Sequence, residues 1–150
     1  MLTSFNIQLP IAIGCDHAGF EYKQQIIDWL QHSNFIVKDF GTNSLASVDY
    51  PDFAHPVASS VENSETAFGI LLCGSANGVA ITANKHQHIR AGLCWNNEVA
   101  KLVRQHNNAN IICIPARFVT LETAIDMINI FMQTNFEGGR HQNRIDKINC

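Results

Sequence analysis

Short apolar runs alternate with amphipathic stretches along this chain. That alternation predicts an α/β fold: a three-layer α/β/α, Rossmann-like domain with a five-stranded parallel sheet. Two observations carry the prediction. The apolar runs are nearly continuous, as in strands covered on both faces. A segment of helical character follows most of them. The 150 residues suit one domain. A content of 46% apolar and 15% charged residues is that of a packed core, not of disorder. A single domain is expected over 1–150. Residues 1–10 form a short extension before the first strand, and residues 135–150 a basic tail.

The elements follow in order. Ile11 to Ile13 is a buried strand ending at Gly14. Phe20 to Leu30 is a helix with Phe20, Ile27 and Leu30 broadly on one side. Phe35 to Phe40 is a second strand, closed by Gly41-Thr42. Residues 41–52 are a polar loop ending in Asp49-Tyr50-Pro51, and Ala54 to Val61 is a helix. Phe68 to Cys73 is a strand, apolar apart from Gly69, and Gly78 to Asn84 is a helix of small residues. Arg90 to Cys94 and Asn110 to Ile114 are strands on either side of a helix from Glu98 to Gln105. Thr120 to Thr134 is a long helix with Leu121, Ala124, Ile125, Ile128 and Met132 on one stripe. Gly138-Gly139 breaks the chain before a short basic helix.

Several function classes are disfavoured. No apolar run reaches the length of a membrane span, and Met1 to Pro10 lacks the cationic-then-apolar pattern of a secretory leader. The five cysteines, Cys15, Cys73, Cys94, Cys113 and Cys150, are odd in number and show no CxxC spacing. They argue for a reducing, cytoplasmic setting and against a disulfide framework or zinc site. A net charge of −3 makes a broad nucleic-acid footprint unexpected. The local cluster Arg140, His141, Arg144 and Lys147 suits a small anion.

In open α/β sheets ligands sit beyond the C-terminal ends of the strands, which selects the loops to inspect. The first is Gly14-Cys15-Asp16-His17-Ala18-Gly19, where a carboxylate stands beside an imidazole. That pair suits acid–base work, or Asp16 simply caps the following helix. The second is Cys73-Gly74-Ser75-Ala76-Asn77-Gly78. Its small residues let backbone N–H groups turn inward at a helix N-terminus, cradling an anion or a developing oxyanion. The same helix end is expected to lower the Cys73 thiol from its free value of ~8.5. A packing cysteine is the alternative. Three phosphate and nucleotide signatures fail on the letters. Gly78 is followed by Val79-Ala80 and not Lys-Ser/Thr, the first loop has glycines only at 14 and 19, and no arginine stands six residues after Cys73.

Two further segments lie elsewhere. Arg104-Gln105-His106-Asn107-Asn108-Ala109-Asn110 ends a helix, where a histidine often only faces the dipole. Arg140 and Arg144 are four apart and share a helical face, suited to a phosphate or to solvent. Tyr50 is placed to line the site. His32, His55, His86 and His88 read as surface or capping residues, and Cys94 and Cys113 as core. Trp29 and Trp95 read as packing residues and Cys150 as a free terminal thiol.

Taken together, IAIGCDHAGF, DYPDFA, ILLCGSANGVAITANK, RQHNNANI and FEGGRHQNR closely resemble the B-type ribose-5-phosphate isomerase family, which includes the galactose-6-phosphate isomerase subunits. The five pieces run in register from residue 11 to residue 144. The resemblance implies interconversion of ribose 5-phosphate and ribulose 5-phosphate through an enediolate, in the non-oxidative pentose phosphate pathway, without metal or cofactor. Cys73 matches the base. A second branch of the family uses a glutamate where Val79 stands here, so the thiol branch is implied. Ser75 matches a hydroxyl that helps proton handling. Asp16 and His106 match ring-opening residues. His17, Arg140 and Arg144 match phosphate contacts, with Arg117 beside them. Tyr50 and Asn107 match sugar contacts. Gly74, Ala76, Asn77 and Gly78 complete the anion loop. Ala76 departs from the common glycine, which costs strain if φ is positive there.

One geometric expectation follows. Asp16 and Cys73 share a site only if strands one and three are neighbours. His106, Arg140 and Arg144 follow helices and belong at the opposite sheet edge. If all serve one site, a second subunit donates them, as in a homodimer or a dimer of dimers. A hexose 6-phosphate isomerase and a flavodoxin-like module holding FMN or a nucleotide stay open on the sequence, while the joint presence of Asp16, Cys73, His106 and Arg140 argues against a third reading, an inactive subunit of a hetero-oligomer.

Overall fold

The computed structural model describes residues 4–149. Cys150, expected to be a free terminal thiol, lies outside the described residues. The strands are β1 (Ile11–Cys15), β2 (Val37–Asp39), β3 (Gly69–Cys73), β4 (Ala91–Leu93) and β5 (Ile111–Pro115). The helices are α1 (Phe20–His32), α2 (Pro51–Glu62), α3 (Asn77–Ala83), α4 (Asn97–Asn107), α5 (Leu121–Gln133) and α6 (Arg140–Ile145), with a 3-10 turn at His17–Gly19. The sheet is wholly parallel, in the order β2-β1-β3-β5-β4.

The sheet separates two apolar layers. Ile11, Ile13, Cys15, Ile70, Leu72, Ile112 and Ile114 face α1, α4 and α5. Ala12, Leu71, Cys73, Ile111 and Cys113 face α2 and α3. Successive strand side chains point to opposite faces, so continuous apolar runs feed both layers. β2 and β4 are shorter than expected. They are the edge strands, and with one flank unpaired only three residues of each join the ladder. Among the described residues no helix is long and apolar enough to cross a membrane.

The residues ahead of β1 are tied to the core. Phe5 packs on Phe68 and Phe131 at 4.8 and 5.7 Å. Ser4 Oγ accepts from Arg104 at 2.7 Å. Trp29 packs against the core as expected, but Trp95 is 56% exposed. It follows β4 on an open edge, where no helix covers it.

Two features place the site. Helix α1 leaves β1 on one face and α3 leaves β3 on the other. The loops after these adjacent strands therefore diverge and open a cleft at the switch point. The turn from β3 to α3 passes through Ala76 at φ 62° and ψ 0°, the left-handed region. A buried alanine held there carries roughly 1–2 kcal/mol of strain. Ala76→Gly should therefore raise stability by about 0.5–1 kcal/mol after the glycine's greater unfolded-state entropy is counted. Urea unfolding checks it; an unchanged or lower midpoint would count against strain at this turn.

Candidate active site

Parallel pairing sets Cys15 opposite Leu72, so the residues that follow, Asp16 and Cys73, emerge side by side. Cys73 Sγ donates to Asp16 Oδ2 at 3.0 Å. The other carboxylate oxygen accepts from the N–H groups of Ala18 and Gly19 at 2.9 and 3.3 Å. Asp16 is thus both the cap of the turn and a partner of the thiol. Both side chains are nearly buried, with Asp16 6% and Cys73 8% exposed. They line a cleft of about 440 Å³ with His17, Gly74, Ser75, Arg117 and Phe118.

The electrostatics reverse one expectation. The thiol of Cys73 is not lowered but pushed up to about 11, first by burial and then by the hydrogen bond and charge of Asp16. The N–H groups of Gly74 and Ala76 pull the other way and are outweighed. The helix end was expected to dominate; α3 is only seven residues long, and an anionic carboxylate touches the sulfur. At neutral pH the resting group is a thiol.

The neighbouring residues each have a defined place. The N–H of Val48 donates to His17 Nδ1 at 3.3 Å, so the neutral ring carries its proton on Nε2 and can donate from there. The Tyr50 ring lies over Gly78, where any Cβ would collide with it. This brings the 41–50 loop onto the anion loop. Ser75 and Asn77 are exposed, and Ser75 Oγ accepts from Asn77 Nδ2 at 3.3 Å. Arg117 reaches the same loop: its N–H donates to the Gly74 carbonyl at 3.1 Å, and its side chain lies against Gly74. Phe118 was missed by sequence reasoning. Its place three residues past β5, on the functional edge, was the available signal.

His106, Asn107, Arg140 and Arg144 gather elsewhere. His106 is in the last turn of α4, ahead of β5, whereas Cys73 ends β3. In a parallel sheet those are opposite edges, roughly 13 Å of strand apart. Buried Arg104 fixes the end of α4 by donating to Asn108 Oδ1 and to the Thr134 and Ala109 carbonyls. Asn107 is exposed at that end. Arg140 and Arg144 are exposed on α6, which packs against α4. Among the described residues none of Arg117, Arg140 and Arg144 has an ion-pair partner. Three unpaired guanidiniums are available to an anion.

Removing the Asp16 charge should lower the Cys73 thiol toward its ordinary value. In Asp16→Asn, alkylation at Cys73 as a function of pH, followed by mass spectrometry, should therefore rise at lower pH than in the native chain. An identical profile would mean burial alone sets the thiol.

The chain matches known proteins along nearly all its length. A family model described as ribose/galactose isomerase covers residues 11–148. A probable ribose-5-phosphate isomerase B of Mycoplasma genitalium is 46% identical over 147 residues, 97% of this chain and 94% of its own. The ribose-5-phosphate isomerase B of Escherichia coli K12 is 42% identical over 138 residues, 92% of this chain and 93% of its own. Among solved structures, a ribose 5-phosphate isomerase from Thermotoga maritima superposes with a TM-score of 0.92 at 46% identity, covering 94% of this chain and 97% of the other. The Mycoplasma genitalium ribose-5-phosphate isomerase B with bound ribulose-5-phosphate gives a TM-score of 0.90 at 45% identity, with 95% of each chain covered. With this fold, and with the cleft at the switch point, the chain belongs to the ribose/galactose isomerase family.

Proposed function

We propose that this chain is an aldose–ketose isomerase that interconverts D-ribose 5-phosphate and D-ribulose 5-phosphate, with Cys73 as the base. The observation that carries the reading is the Cys73–Asp16 pair in the cleft. Relatives named ribose-5-phosphate isomerase B, matching over 92% or more of the chain, support the substrate.

The protonated resting thiol suggests how ring opening and base activation are linked. As the bond between C1 and the ring oxygen breaks, the Cys73 proton passes by way of Asp16 to that oxygen. His106 accepts the proton of the C1 hydroxyl, and C1 becomes an aldehyde. Cys73 is left as a thiolate beside the N–H groups of Gly74 and Ala76. It removes the proton on C2, and the electron pair forms the C1–C2 double bond of an enediolate. A proton passes from the C2 hydroxyl to the C1 oxygen by way of Ser75. Cys73 then returns its proton to C1, giving the ketose, and water carries the proton held by His106 back to the Asp16–Cys73 pair, restoring the resting thiol. Backbone N–H groups from Gly74 to Gly78, with Asn77, stabilise the oxyanion. His17, Arg117, Arg140 and Arg144 hold the phosphate, whose remote binding energy positions C1 and C2. Tyr50 and Asn107 orient the sugar.

His106, Arg140 and Arg144 stand at the wrong sheet edge to reach their own Cys73. The reading therefore requires a second copy to supply them, in a twofold homodimer with two shared sites or a dimer of dimers. Exposed Ile81, Trp95, Leu102 and Phe118 offer apolar surface for that contact. The buried free thiols Cys15, Cys73, Cys94 and Cys113 fit a reducing cytoplasm.

Purified protein with EDTA and ribose 5-phosphate should form ketose, and Cys73→Ala and Cys73→Ser should each fall by about 10³-fold. Undiminished turnover in the variants would assign the proton to another residue. No turnover in the native chain, with turnover of a hexose 6-phosphate, would move the substrate. Mixing the Cys73→Ala and His106→Asn proteins after dissociation should restore about a quarter of native activity, one good site per mixed dimer. No recovery, with exchange verified by mass, would sink the shared site.

A further inference from the structure

His106 and His141 are stacked, with ring centroids 4.2 Å apart and planes 12° from parallel. Both Nε2 atoms face one oxygen of Glu137, at 3.9 Å from His106 and 3.6 Å from His141. The three ligand atoms lie within 4.8 Å of one another. We propose that this His106–Glu137–His141 cluster is an inhibitory site for a borderline divalent transition-metal ion such as Zn²⁺. The inhibitory part rests on the isomerase reading, in which His106 opens the sugar ring.

Two imidazoles and one carboxylate form a donor set that holds zinc with an open fourth position. It selects Zn²⁺, Co²⁺ or Ni²⁺ over Mg²⁺ or Ca²⁺, which demand oxygen. Bonds of roughly 2.0–2.2 Å set neighbouring tetrahedral ligands about 3.3 Å apart. The Glu137–histidine gaps therefore have to close by roughly 0.3–0.6 Å, and the partly exposed His106 ring has to turn out of its stack on His141 before both Nε2 atoms can share one ion. The backbone that carries the ligands is already held. The Glu137 N–H donates to the Gln105 carbonyl at 3.0 Å, tying the ligand-bearing loop to the last turn of α4. His141 is nearly buried, and Glu137, half exposed, is free to adjust. A metal on His106 blocks the ring that accepts the C1 hydroxyl proton in the proposed ring opening, so occupancy stops turnover.

The test is a Co²⁺ titration of the full reduced chain, without substrate. One Co²⁺ per chain should bind, with visible d–d bands and no near-ultraviolet thiolate charge transfer. Glu137→Gln and His141→Gln, with native circular dichroism, should each weaken it at least tenfold. In turnover, Zn²⁺ should inhibit and EDTA restore activity, and Glu137→Gln should raise the half-inhibiting Zn²⁺ concentration at least tenfold. A thiolate charge-transfer band, binding unchanged in both variants, or no saturable binding would overturn the site. Any of these alongside normal turnover in EDTA leaves the isomerase reading intact. A Co²⁺ site in a chain with no isomerase activity would overturn the inhibitory role.

Discussion

The parallel pairing of β1 with β3 is the constraint on which the cleft depends. It places Cys15 opposite Leu72, and so delivers the carboxylate after one strand to the thiol ending the other. Slipping that register by one residue would turn every side chain of a strand to the other face. The apolar layers oppose such a slip, since Ile11, Ile13 and Cys15 feed one and Ala12 the other. The energy that holds Cys73 beside Asp16 is thus mostly hydrophobic burial along two strands, not the single hydrogen bond between them.

The same neighbourhood carries a closely held polar cluster. Lys23, fully buried, donates to both Asp39 oxygens at 2.7 and 2.6 Å, and Asp39 also accepts from the Gly41 N–H. This pins the end of β2 and the start of the loop that carries Tyr50 over Gly78. Removing Asp39 would leave the buried Lys23 ammonium uncompensated. Loop 41–50 is therefore anchored at both ends: by the Lys23–Asp39 pair at its start and by Tyr50, which leads into α2, at its close.

At the other sheet edge a different anchor does the equivalent work. The guanidinium of Arg104 lies over the Phe5 ring at 4.3 Å while its hydrogens satisfy carbonyls at the end of α4. His106 and Asn107 stand on that fixed end, next to Glu137 and the basic α6. The Cys73 cleft and this His106 cluster thus stand on opposite edges of the sheet. In the proposed homodimer, a phosphorylated sugar would meet one edge of each copy.

Most of the fold was legible in the letters, because burial on both faces forces near-continuous apolar strands with helices between them. Edge strands β2 and β4 were overextended, since an apolar run does not reveal which flank will lack a partner. Asp16, Cys73 and His17 were legible as candidates from their place after strands. Their relation was not: the carboxylate that raises the thiol is 57 residues away in sequence. Local reasoning from the helix dipole gave the wrong sign because burial, first, and this carboxylate, second, both come from the tertiary structure. The sequence by itself determined the elements, their alternation and the chemical types at each loop, because periodicity and turn chemistry are local. Only the tertiary structure decided that Asp16 touches Cys73, that Ala76 sits at positive φ, and that His106, Glu137 and His141 converge, because these depend on which strands pair and on which edge each helix ends.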